Sequence, residues 1–266
     1  MAVEMSQTIL KTYGVRAEPM THLLVRSAPL RSQIRRVART VNSTNAGAAG
    51  PNVVTPNLEA TADAFRANEW AFTEGFYSEQ SHRELVAGWP PRSYFAPMGN
   101  VLKSYDFGFK WLRGKDDPKH LDRFPAVRAA YDTLRSEDFG RRVTDLCADG
   151  MGRTCYSITT SWATSGSSLI PHRDTVARDE ADQGFMNFVI FVDGSGGEQA
   201  GGTCIINDNE YRDVVFEPTV LRNSAIYYHS AAQLFHGFKP MRAGTFRWTI
   251  NAQFSDPSAA TAPKDV

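Results

Sequence analysis

Between residues 153 and 255 the chain is built of short β-branched and aromatic runs: RTCYSITTSW, FMNFVIFVD, GGTCIIND, YRDVVFEP, SAIYYHS, AQLFHGF and GTFRWTINAQF. Gly, Asn, Asp and Pro break them at short intervals. Val, Ile, Thr and the aromatic residues favour a pleated, half-buried backbone, and the breakers are turn formers. Consecutive strands without intervening helices fold as an antiparallel sandwich or barrel, and a double-sheet jelly roll is the compact solution for about eight of them.

The last run is the most informative. Phe246, Trp248, Ile250, Ala252 and Phe254 fall on one face, while Arg247, Thr249, Asn251 and Gln253 fall on the other. Such a polar face belongs either to a half-exposed strand wetted on one side or to a jelly roll with a polar ligand inside. In the second case an inward Arg offers a rigid fork to a carboxylate.

The first half reads differently. Residues 21–41 carry Leu30, Ile34, Val37 and Val41 at helical spacing with Arg31, Arg35 and Arg39 on another face, as in a solvated helix packed on the main domain. A basic partner-binding helix is the sharper alternative. The small-residue stretch 42–52 reads as a link, so residues 1–52 form an N-terminal extension. Thr55-Pro56 is a helix start, and helical patterns recur from Pro125 (Val127, Tyr131, Leu134) and past Ser136 (Phe139, Val143, Leu146). Residues 53–148 are therefore expected to be mostly helical with an aromatic-rich irregular middle, 150–255 to form the jelly roll, and the polar tail 256–266 to be disordered. The fold class is α+β, one domain over 53–255.

The 266-residue chain, 42% hydrophobic, supports a sizeable core. With Lys plus Arg equal to Asp plus Glu at 29 each, no global charge draws it to nucleic acid or an anionic membrane. Cys147, Cys155 and Cys204 are too few and too scattered for a disulfide framework. No apolar run reaches the roughly 18 residues of a membrane span, and the first residues lack a secretory apolar core. A cytoplasmic, soluble protein acting on a small molecule is the expectation.

His172 and Asp174 flank Arg173 in the segment LIPHRDTVARDE. In extended chain, residues two apart share a side, so this pair presents an imidazole and a carboxylate to one point while Arg173 faces away. A 2-His-1-carboxylate iron site needs one more histidine from another strand. His229 and His236 are the candidates, and the position of His236 just before the terminal Arg-bearing strand favours it.

His172-Arg173-Asp174, GGTCII after an apolar strand, and HGFKPMRAGTFRWTI together resemble the 2-oxoglutarate and Fe(II)-dependent oxygenases of the prolyl-hydroxylase-like branch, over roughly residues 100–255. The resemblance implies a double-stranded β-helix core with His172, Asp174 and His236 as iron ligands. It implies Arg247 as the partner of the far carboxylate of 2-oxoglutarate, with Arg242, closer to the histidine, as the alternative. Trp162 and Asn187 fall where the family often places pocket residues, with core filling as the alternative for both, and Thr249 and Asn251 join them from the polar strand face. The cofactors implied are Fe(II), 2-oxoglutarate and O2, with succinate and CO2 as co-products of oxidising an unactivated C–H bond. Because Asp174 stands where related halogenases carry Gly or Ala, hydroxylation is the default outcome, with desaturation or cyclisation as alternatives.

The substrate expectation is an amino acid or natural-product intermediate; a prolyl or other protein side chain is the second reading, and a cupin-like binding or sensor protein the third. Arg178 and Asp179 are candidates for contact with a zwitterionic substrate, although a solvated loop is the plainer account of residues 175–184. Tyr105, Phe107 and Trp111 are either a substrate wall or core filling.

Overall fold

The computed structural model describes residues 58–99, 103–113, 119–174, 185–230 and 234–255. The expected helix at 21–41, the link, the Thr55-Pro56 start, Arg178, Asp179 and the tail lie outside the described residues.

All seven β-rich runs form strands. With β1 (Trp70–Glu74), β2 (Ala96–Gly99), β3 (Ser104–Leu112), β4 (Thr154–Thr164), β5 (Leu169–His172), β6 (Met186–Gly194), β7 (Cys204–Ile206), β8 (Val214–Phe216), β9 (Ser224–His229), β10 (Phe235–Phe238) and β11 (Phe246–Ser255), they make two sheets. The larger has seven strands in the order β1-β9-β6-β11-β4-β3-β2, and the smaller has four in the order β5-β10-β7-β8. Every pairing is antiparallel.

β11 lies at the centre of the large sheet, between β6 and β4, and its alternation decides what each layer contains. Ile250, Ala252 and Phe254 belong to the main core beneath the helices, with Trp248 packed against it. The opposite face turns inward. Arg247 is 2% exposed and Thr249 0%, which rules out a strand wetted on its polar side.

The helices α1 (Ala62–Asn68), α2 (Glu79–Ala87), α3 (Pro125–Arg135) and α4 (Glu137–Cys147) cover the outer face of the large sheet. Pro125 opens α3, and the Ser136 hydroxyl caps α4 by accepting from the Phe139 amide at 3.1 Å. Val127, Tyr131 and Leu134 of α3 and Phe139, Val143 and Leu146 of α4 are the buried stripes, as their spacing requires. Phe188 sits at the middle of this layer in ring contact with Phe76, Phe139, Tyr227 and Phe254.

The expectation of a mostly helical segment 53–148 is corrected: β1, β2 and β3 lie within it and form both edges of the seven-stranded sheet. The aromatic stretch read as irregular is β3. Its pairing with β4 shifts between Phe107 and Lys110, around Gly108, where a Cβ would stand 2.4 Å from the Thr160 hydroxyl and 2.7 Å from the Phe95 ring. The shift breaks the period of two. Tyr105 and Phe107 consequently face the inter-sheet space, whereas Phe109 and Trp111 enter the main core. Among the described residues no helix is long and apolar enough to cross a membrane.

Candidate active site

β5 and β10 are neighbours in the small sheet, and their register sets His172 opposite His236. The two imidazoles approach to 4.2 Å between ring centroids. Asp174, two residues beyond His172, completes the group: its Oδ1 lies 3.5 Å from His172 Nε2 and its Oδ2 3.6 Å from His236 Nε2. One ligand atom from each residue falls within 4.8 Å of the others.

The protonation states suit a divalent cation. His172 Nδ1 donates to the Ile170 carbonyl at 2.8 Å, which fixes the tautomer and leaves Nε2 with its lone pair toward Asp174. Burial lowers the pKa of His236 to about 4, so its ring is neutral near pH 7. Burial pushes the Asp174 carboxyl upward, but hydrogen bonding from His172, which requires a proton on that ring, and positive charge at His236, His172 and Lys103 pull it down further, to below its ordinary value. Two imidazoles and one carboxylate are a donor set for a first-row divalent metal.

Arg247 lies deeper in the same space. Its Nη1 donates to the Gly201 carbonyl and, at 3.2 Å, to the Thr203 hydroxyl, and its guanidinium stands 3.9 Å from the centre of the Phe238 ring. Burial brings its pKa down to about 10, so it is a cation at neutral pH. Among the described residues no carboxylate pairs with it, and its buried Nε has no hydrogen-bond partner. A buried, unpaired cation is costly, and an anionic ligand relieves that cost. The residues present therefore fit both a metal and a dicarboxylate beside it.

The two features share a cavity of about 430 Å³ between the sheets. Asn187 and Asn251 line it together with His172, Asp174, His236 and Arg247. Tyr105 and Phe107 line it as well, and the remaining candidates are placed elsewhere. Thr249 is buried in a hydrogen bond with Ser161 and does not line the cavity. Trp162 pairs in register with Trp248 and shares its apolar face, against the core, with ring centroids 4.9 Å apart. Arg242 is exposed and donates to the Gly196 carbonyl at 2.9 Å, away from the cavity. His229 lies at the end of β9, where its Nε2 accepts from Arg153 at 3.5 Å. Trp111 is core filling.

Sequence reasoning missed Ser157, Thr159, Lys103, Lys110 and Tyr228, which also line the cavity. The signal for the first two was the alternation Ser157, Thr159, Ser161 in β4, which matches the polar face of β11 across the ladder. A second groove, of about 310 Å³, runs between α1 and α4 and holds Asp63, Arg66, Arg142 and Asp145 without converging ligands.

No protein-family model matches the sequence, and no curated protein does. Solved structures do match. A Trichoplax adhaerens prolyl hydroxylase in complex with a hypoxia inducible factor peptide superposes with a TM-score of 0.57 at 13% identity, over 77% of this chain and 93% of that one. A Pseudomonas putida prolyl-4-hydroxylase gives 0.52 at 16%, over 76% and 100%. HygX from Streptomyces hygroscopicus, solved with nickel, 2-oxoglutarate and hygromycin B, gives 0.53 at 8%, over 74% and 87%. Identities this low speak for the fold: the chain has the double-stranded β-helix fold of the 2-oxoglutarate and Fe(II)-dependent oxygenases, prolyl hydroxylases among them.

Proposed function

We propose that the chain is an Fe(II)- and 2-oxoglutarate-dependent dioxygenase that hydroxylates an unactivated C–H bond of a small molecule, releasing succinate and CO2. The observation that carries this reading is one cavity holding both a His172–Asp174–His236 donor cluster and a buried Arg247 without a carboxylate partner.

His172, Asp174 and His236 would hold the iron, and Arg247 the far carboxylate of 2-oxoglutarate. Bound iron with 2-oxoglutarate and O2 supplies an oxidant able to take hydrogen from carbon, with decarboxylation of the co-substrate as its driving reaction. The chain's own residues do the positioning. Thr203 and the Gly201 carbonyl fix the guanidinium of Arg247, so its fork is oriented before any carboxylate arrives. Tyr105 and Tyr228 flank this region, and burial raises both phenols, Tyr105 to about 12, so neither becomes a phenolate that competes for the metal. Phe238 on one sheet and Phe191 on the other wall off the guanidinium from water.

A cavity of about 430 Å³ is of the size that encloses a small ligand, which favours a free metabolite over a protein side chain. The peptide reading draws on the likeness to the Trichoplax enzyme. Residues 53–255 are read as one catalytic domain, and the free Cys147, Cys155 and Cys204 suit a reducing, cytoplasmic setting.

The reading is tested by succinate formation from Fe(II), 2-oxoglutarate and O2 across a panel of amino acids, peptides and metabolites. Wild type is expected to form succinate and His236→Ala to form none. Equal succinate from both, or none from wild type with any member, overturns it.

A further inference from the structure

The cavity continues past the His172–Asp174–His236 cluster along β11 to Gln253, six residues from Arg247, or about 20 Å of extended chain. Two cross-strand rows line this far half. One runs Lys110, Thr159, Asn251 and Val189; the other runs Leu112, Ser157, Gln253 and Asn187.

The second row is a hydrogen-bond chain with an open end. Ser157 Oγ donates to Gln253 Oε1 at 2.8 Å, and Gln253 Nε2 donates to Asn187 Oδ1 at 3.0 Å. Asn187 is 5% exposed, and its buried Nδ2 has no partner. A buried amide donor without an acceptor is costly, and the cavity is where an acceptor can be placed.

The first row carries one cation, Lys110, and Lys103 also lines the cavity. Burial lowers the pKa of Lys103, the charge of Asp174 opposes that shift, and the charge of Lys110 adds to it. Among the described residues Asp174 is the only carboxylate that lines the cavity, and it is turned to the two histidines. Lys110 itself has no ion pair among the described residues. Three strand spacings, about 14 Å, separate the strands of Lys110 and Asn187, so the two read different parts of one ligand.

We propose that the substrate is an anionic small molecule, held by a carboxylate at Lys110 and by an oxygen acceptor at Asn187, with the oxidised carbon presented between them to the metal cluster. The proposal rests on the oxygenase reading for the word substrate, but the binding it asserts does not depend on turnover. Lys110 is a positioning residue: it fixes which end of the molecule stays away from the cluster.

The test is equilibrium binding, by calorimetry or saturation-transfer NMR, of a panel of N-acetyl amino acids and their matching primary carboxamides to the full chain loaded with Zn(II) and 2-oxoglutarate. In wild type the best carboxylate is expected to bind about tenfold tighter than its carboxamide. Lys110→Glu removes that preference, Asn187→Leu weakens both forms alike, and Arg142→Glu, a charge reversal on the outer helix α4, keeps the preference. Equal affinity of carboxylate and carboxamide across the panel, failure of every carboxylate to bind, or a preference that survives Lys110→Glu overturns the proposal. The 2-oxoglutarate titration on the same samples separates the two readings. A carboxylate preference without 2-oxoglutarate binding overturns the oxygenase reading alone, and 2-oxoglutarate binding without the preference overturns this one alone.

Discussion

At the scale of single residues, Arg247 and Arg242 show how strand parity decides what spacing leaves open. Arg247 is on the inward face of a strand whose alternate residues are apolar, and it is buried; Arg242 precedes that strand and is exposed. Arg247→Met is expected to weaken 2-oxoglutarate binding by roughly 10- to 100-fold, the worth of about 1.5–3 kcal/mol for a charge-assisted contact. Arg242→Ala is expected to leave the dissociation constant unchanged; calorimetry on the metal-loaded protein reads both. The pair His172 and Asp174 was legible because a period of two needs no tertiary knowledge. Trp162 stayed open between pocket and core because its face depends on pairing: opposite Trp248 it takes the apolar side of the ladder. Lys110 was illegible for a related reason, since the register shift after Phe107 reassigns every later side chain of β3 to the other face.

At the scale of elements, the His172–Asp174–His236 cluster depends on how closely β5 and β10 approach. Gly237, next to His236, faces β5 so tightly that a Cβ would stand 2.6 Å from the Leu169 carbonyl and 2.6 Å from the Tyr211 hydroxyl. Gly237→Ala is expected to push the two strands apart and to destabilise the fold by about 1–3 kcal/mol. It should also weaken divalent-metal binding, which Co(II) absorbance titration measures; an unchanged metal affinity would mean that the strand separation does not set the cluster. The seven runs after residue 153 announced their strands through β-branched composition and regular breakers. β1, β2 and β3 did not, because two are only five and four residues long and the third carries its aromatics through a bulge. Short edge strands are held by the sheet they join, and such tertiary support leaves little trace in local pattern.

At the scale of the whole molecule, one core under the helices supports the sheet whose other face is the cavity. Phe188→Ala, at the middle of that core, is expected to cost about 3–5 kcal/mol in denaturant unfolding. Stability also depends on pH through His229. Its burial, reinforced by the charge of Arg153 and opposed by Glu69 and Asp149, lowers its pKa below the ordinary value. The unfolded chain therefore takes up this proton first. The stabilisation is complete above about pH 6.5 and is lost as the pH falls through the lowered folded-state pKa. Wild type should lose unfolding free energy on that side, and His229→Gln should lose less over the same window. The central claim, that His172, Asp174, His236 and Arg247 assemble an iron and 2-oxoglutarate site, is read most directly by adding Fe(II) and 2-oxoglutarate to the protein under anaerobic conditions and recording the visible spectrum. Wild type is expected to show the weak metal-to-ligand charge-transfer band of chelated 2-oxoglutarate, and His236→Ala to lose it. A wild type that never shows the band, or a His236→Ala that keeps it while His229→Ala loses it, would contradict the account.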